Sequence, residues 1–268
     1  MRQLKLVLLC LVGAASLTWS FVIAQKKAPP AARNTYGENN CVICHARLLE
    51  PVGVSAHFFE WLNSAHQKKG VGCEKCHGGD PTAKTMTAAH SGVLRQTFPQ
   101  SNLHPQNLAQ TCSSCHQEVV SAFVKSAHFQ KLQGADGAPD CTTCHRHMAS
   151  SVITWPPDTA TLCSKCHNAP GGSATKYPNV SKQAGDTIAA FSRADGIVEW
   201  AYSLVNEGKQ KKLSFNAEEV KLKQFEASLK EAKTQWHAFD LTNSRRTADE
   251  VFQQATEVKD GIWKRLPE

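Results

Sequence analysis

One short pattern, Cys-x-x-Cys-His, recurs five times between residues 41 and 167: CVICH (41–45), CEKCH (73–77), CSSCH (112–116), CTTCH (141–145) and CSKCH (163–167). A Cys-x-x-Cys pair alone would fit a zinc site or a thiol redox centre. Neither needs a histidine directly after every second cysteine, and zinc commonly takes two pairs per ion, which leaves the fifth pair over. Covalent attachment of c-type haem needs this arrangement: each cysteine forms a thioether with a vinyl group, and the adjoining histidine ligates the iron. The cofactor expected is therefore five haem c. Cys41, Cys44, Cys73, Cys76, Cys112, Cys115, Cys141, Cys144, Cys163 and Cys166 would attach it, and His45, His77, His116, His145 and His167 would ligate the metal.

The motifs use ten of the eleven cysteines, and the other, Cys10, lies in an N-terminal apolar run, so no disulfide framework remains. Roughly 25 residues accompany each motif, too few to build an ordinary apolar core around every one. The haems must then supply much of the core of 41–167, and crowding them into so little chain brings them within electron-transfer reach of one another.

Each iron has a second axial position. Seven histidines lie outside the motifs, and beyond the initiator only Met86 and Met148 could offer a thioether. Bis-histidine ligation is expected, which lowers the potential relative to Met/His ligation. The preferred distal set is His66, His90, His128, His147 and His237. His57 is an alternative to His66, because it follows His45 by the same interval at which His128 follows His116. His104 precedes Pro105 in a turn-like stretch and reads as a spectator. His147, in CHRH, is too near His145 to turn back onto the same iron and is expected to reach a neighbouring haem.

Residues 1–24 read as a signal peptide, with Arg2 and Lys5 before an uncharged run and Val22-Ile23-Ala24 as a small-residue cleavage site. The run is also long enough to span a bilayer, so an uncleaved anchor is the alternative. Lys26 and Lys27 lie on the wrong side for a positive-inside anchor, which favours cleavage. Either way the chain is placed outside the cytoplasm, periplasmic or secreted, with a membrane association only if the segment is retained. Residues 25–40 form a leader, 41–167 a pentahaem domain, 168–182 a Gly/Pro-rich linker and 183–268 a helical C-terminal region.

Charge follows this division. Residues 25–182 hold 15 Lys and Arg against 9 Asp and Glu, whereas 183–268 hold 13 against 14. The basic excess lies where ten haem propionates would lie, and no basic run with interleaved aromatics is present, so no nucleic-acid partner is expected. Short helices are predicted over 56–67 and 116–131. WLNSAH (61–66) and FVKSAH (123–128) each place an aromatic five residues before a histidine, which on one continuous helix sets the ring about one and a half turns from the imidazole.

In the tail a helix is expected over 183–206. Asn216 and Glu219 form a capping-box signature, and Leu222, Phe225, Leu229, Ala232, Trp236 and Phe239 make a heptad-like seam. Thr247 with Glu250 marks either a second helix start or a cap-type residue inside a continuing helix. The fold class expected is mainly α, a haem-packed core with little regular sheet and a long-helix tail. A homo-oligomer through the C-terminal helices is one way to cover the seam.

WLNSAHQKKGVGCEKCHGGDP (61–81), His90, TCSSCH, SAH ending at His128, CTTCHRH and a long helix bearing His237 resemble the multihaem cytochromes c related to hydroxylamine oxidoreductase and the ammonia-forming nitrite reductase. The resemblance covers 41–167 and, more loosely, 183–268. It implies an α-helical protein with haems in near-parallel and perpendicular pairs, and His66, His90, His128, His147 and His237 match that family's free axial histidines. The family holds both catalysts and carriers. Its nitrite reductases use a lysine in place of the motif histidine at the active haem, whereas all five motifs here end in His. Its eight-haem oxidoreductases use a tyrosine crosslinked to the active haem, and Tyr36, Tyr177 and Tyr202 all lie away from the motifs in sequence.

The function expected is electron transfer along the haem array to redox partner proteins, with no catalytic residue assigned. Two alternatives stand beside it: a redox enzyme acting on a small nitrogen or sulfur compound at one open haem, and a membrane-anchored quinol-oxidising subunit.

Overall fold

A computed structural model describes residues 37–134, 137–168, 174 and 177–267. The predicted signal segment, Tyr36, nearly all of the leader and part of the 168–182 linker lie outside them. Among the described residues every regular element is an α-helix and there is no strand, as the sequence led us to expect.

Ten short helices come first: α1 (Asn40–His45), α2 (Val52–Leu62), α3 (Ala65–Lys68), α4 (Glu74–His77), α5 (Met86–Ala89), α6 (Pro105–Ser113), α7 (Gln117–Phe123), α8 (Ala127–Leu132), α9 (Cys141–His145) and α10 (Pro156–His167). Most are too short to persist by propensity alone and are defined by their caps. The Asn39 side chain accepts from the amides of Cys41 and Val42 at the head of α1, Thr85 caps α5, and Asp140 forms a capping box with Thr143 at α9. Prolines at the first positions of α6 and α10 suit helix starts, where no N–H is missed.

The two SAH repeats behave alike, though not as predicted. Each expected single helix breaks: α2 ends at Leu62 and α3 restarts at Ala65, and α7 ends at Phe123 and α8 restarts at Ala127. The cause is the serine. Ser64 and Ser126, both buried, turn their hydroxyls onto the amides of Gln67 and Phe129 at 3.1 Å and cap the second helix, competing with continuation of the first. His66 and His128 thus sit in the first turn of a new helix, so the expected one-and-a-half-turn spacing from Trp61 and Phe123 does not apply.

Three long helices follow, α11 (Val180–Gln210), α12 (Asn216–Trp236) and α13 (Leu241–Trp263). They bury the largest apolar cluster: Ala190, Ala194, Ala201 and Val205 from α11, Leu222 and Leu229 from α12, and Ala248, Ala255 and Ile262 from α13. Alanines on α11 and α13 let the two axes approach closely. Phe215, fully buried, closes the α11–α12 turn over Gly208, where any side chain would collide with the ring. Gly185 brings α11 against the Pro156 carbonyl of α10, and Lys230 of α12 pairs with Glu118 of α7 at 2.6 Å, so the bundle carries the motif-bearing helices on one side.

Two expectations for the tail change, and the alternatives for Thr247 are decided. Helix α12 begins at Asn216, but Phe215 occupies the cap position without a side-chain bond, and Glu219 pairs instead with Lys209 of α11 at 2.6 Å. Thr247 lies inside α13, whose start is Asp240, capping Asn243 at 3.1 Å. Phe239 leaves the seam. Its φ of 61° turns the chain, and its ring packs with Ala109, Val120, Phe123 and Leu132, among the motif-bearing helices. No described helix is long and apolar enough to cross a membrane.

Candidate haem-binding array

Each motif occupies a helical turn or the end of a helix. Motifs one, two and four lie in α1, α4 with the Cys73 that caps it, and α9, and the fifth ends α10. The third begins at the end of α6 and closes with the His116 amide donating to the Cys112 carbonyl at 2.9 Å, the same bond that His77 makes to Cys73. Residues i, i+3 and i+4 of such a turn share a face, so two thiols and one imidazole address a common volume. None of the ten motif cysteines is in a disulfide and none is fully buried.

Two imidazole nitrogens holding one iron at about 2 Å each place the ring centres about 6 Å apart. Four motif histidines meet a free histidine at that separation. His45 faces His90 at 6.0 Å, His116 faces His66 at 6.1 Å, His167 faces His128 at 5.9 Å and His145 faces His237 at 6.1 Å. His90 and His237 each end a helix and donate Nδ1–H to the carbonyl four residues back, Met86 and Lys233, at 2.8 Å. His145 donates Nδ1–H to Ser151 O at 3.3 Å. A carbonyl can only accept, so in these three rings the proton is on Nδ1 and Nε2 keeps its lone pair, the tautomer a metal requires.

Burial supports the same state. It lowers the pKa of His45, His66, His77, His128 and His237, and the neighbouring imidazole adds to the effect: His90 on His45, His116 on His66, His167 on His128 and His145 on His237. Neutral rings are the ones that can bind iron. Among the thiols, burial and then Cys41 push Cys73 up to about 11, and burial and then Cys163 push Cys144 up to about 11. Cys112 is raised chiefly by its hydrogen bond with Cys141.

These thiol neighbours run in chain order. Cys73 feels Cys41, Cys76 feels Cys112 and Cys115, Cys112 bonds Cys141, and Cys144 feels Cys163. Hydrogen bonds tie the first of these pairs. Asn39, the cap of the first motif, donates to Glu74 of the second at 3.1 Å, and the Asn40 amide donates to Pro81 O at 2.8 Å. The first motif therefore stands against the second.

The second motif differs. Among the described residues His77 has no imidazole facing it as the other four do, and His57, taken in sequence as an alternative to His66, meets His147 at 6.0 Å instead. His147 thus faces another free histidine rather than a motif histidine. It is aimed there by Arg146, whose φ of 60° reverses the chain directly after His145. His104 accepts the Gln106 amide at 3.4 Å as the cap of α6.

Two aromatic neighbours were not anticipated. Phe239 stands edge-on to His128 with ring centres 4.1 Å apart, and Tyr177, ten residues after the fifth motif, reaches within 6.3 Å of His167. Phe239 is a seam residue by periodicity. Only the left-handed turn that it occupies takes it to His128, and no local signal announces that.

Residues 17–78 match the family described as "Cytochrome c554 and c-prime". Among curated proteins the chain is similar to the C-type polyheme cytochrome OmcC of Geobacter sulfurreducens, 32% identical over 125 residues, which is 44% of this chain and 15% of that protein. It is also similar to the C-type polyheme cytochrome OmcB of the same species, 27% identical over 176 residues, 54% of this chain and 22% of that one. The chain spans less than a quarter of the length of these relatives. No solved structure matches it. With the motifs, these likenesses support a multihaem c-type cytochrome.

Proposed function

We propose that this chain binds five haems c outside the cytoplasm and carries electrons along them in chain order, from motif 41–45 to motif 163–167 or the reverse. The observation that carries this is the set of four motif-to-free imidazole pairs at 5.9–6.1 Å, on motifs whose thiols neighbour one another in sequence order. Haem supplies an iron that changes oxidation state by one electron. The residues do the rest. Cysteines would hold each macrocycle, the four imidazole pairs would ligate four of the irons, and the α11–α13 bundle holds His237 against His145. Redox partner proteins would dock at the two ends of the array. An association of copies would use the outer faces of α11–α13, since the seam residues are buried inside the bundle.

Mass spectrometry and pyridine haemochrome of the mature protein should give five haems, and a potentiometric titration should reduce all five without turnover of nitrite or hydroxylamine. Fewer haems, or steady turnover, would overturn the carrier reading. A relationship to the hydroxylamine oxidoreductase-related cytochromes belongs to the same proposal. One observation favours the enzyme reading as the runner-up: His77 lacks a facing imidazole, which would leave one iron open to a small nitrogen or sulfur compound.

A further inference from the structure

Of six imidazoles outside the motifs that are not helix caps by side chain, four each face a motif histidine, and two, His57 and His147, remain for the single motif histidine left, His77. His57 is close enough to act on His77, and His147 faces His57 at 6.0 Å. His57 rides on α2, and the next residue, Phe58, is buried with Trp61 in a cluster that takes in Val42 of the first motif and Met148. Trp61 in turn donates its indole N–H to Val71 O at 3.0 Å, two residues before Cys73. Met148, the one thioether near the site, is engaged in that cluster, and its neighbour His147 is turned toward α2 by the left-handed Arg146. Neither the His57 nor the His147 ring makes a side-chain hydrogen bond among the described residues, in contrast with His90, His145 and His237, whose Nδ1–H groups are pinned to carbonyls.

We infer that the iron on His77 is served by an exchangeable distal pair, His57 and His147, either of which can fill its sixth position. Exchange breaks one Fe–N bond and makes another, consumes no electron and leaves both imidazoles neutral. One ligand comes from the α2 side, beside the first motif, and the other from the segment that follows the fourth. The exchange therefore links the second haem to two different parts of the array. It rests on the proposed five-haem reading and replaces the open iron of the enzyme alternative with a filled but labile one.

The test uses the mature full-length protein and its variants His57→Gln, His147→Gln and the double variant, with haem counted by pyridine haemochrome. Electron paramagnetic resonance of the oxidised forms should show no high-spin haem in the parent or in either single variant. One high-spin haem should appear in the double variant, which when reduced should bind one carbon monoxide per chain. A full high-spin haem in either single variant would make that residue the sole fixed ligand and overturn the inference, as would a double variant that stays entirely low-spin. Should the double variant fail to mature, the single variants decide alone: both must keep every haem low-spin, with one haem whose g values differ between them. A count below five in the parent defeats the five-haem reading itself, whereas a spin-state result at a count of five bears only on the distal pair.

Discussion

His237, the residue that ends α12, lies parallel to the motif imidazole of His145, with 6.1 Å between ring centres and 11° between planes. It is the one free histidine in the helical tail, so this pair is where the bundle and the motif-bearing region meet through a would-be iron. Its Nδ1–H is spent on the Lys233 carbonyl, which fixes both tautomer and ring direction. His237→Ala should convert one haem from low-spin to high-spin, visible by electron paramagnetic resonance. It should also speed proteolysis around 237–241, where the tail would have lost its anchor. An unchanged spectrum would show that some other residue ligates that iron.

Apolar burial is divided unequally. The large cluster lies in α11–α13, whereas the motif-bearing helices have only small ones, such as Phe58 with Trp61. Chain produced without haem attachment should therefore keep the helical circular dichroism of α11–α13 while 41–167 is cut rapidly by protease. Equal resistance of both regions would show that the short helices do not depend on haem.

Leu229 is buried at the centre of the bundle, and an aspartate there would be an unpaired buried charge, costing on the order of 3–5 kcal/mol. Leu229→Asp should lower the denaturant midpoint of the tail without changing the mass seen by light scattering. A halved mass with an unchanged midpoint would place the seam in a dimer. Gly208→Ala forces Phe215 to move and should cost about 1–3 kcal/mol by the same measurement.

Tyr202 of α11 donates its hydroxyl to Glu226 of α12 at 2.9 Å. Burial, then that carboxylate, pushes its pKa up to about 12 from an ordinary 10.0. The folded chain thus holds the phenolic proton more tightly than the unfolded one. The associated stability is complete below pH 10 and is lost as pH rises toward 12. Tyr202→Phe should flatten the fall in stability between those values relative to the parent, measured by chemical denaturation at each pH. Parallel curves would mean that the pair contributes nothing.

What sequence alone determined here is chemistry that is local. A cysteine, another three residues on and a histidine after it share one helical turn whatever surrounds them, so the five candidate attachment sites from Cys41 to His167 could be proposed from spacing. So were the mainly α class and the buried seam at Leu222, Phe225 and Leu229, because a 3.6-residue period states which face must leave water.

The pairing of rings was decided only by tertiary structure. His57 and His66 are nine residues apart and looked interchangeable, yet the Ser64 cap ends one helix and starts another, sending His66 to His116 and leaving His57 to face His147. Arg146 and Phe239 each spend a positive φ that L side chains rarely adopt, and those two turns direct His147 to α2 and bring a ring onto His128. Such turns are held by packing between segments about a hundred residues apart. No local propensity encodes them, which is why candidate ligands could be counted from the chain but the facing rings emerged only from the fold.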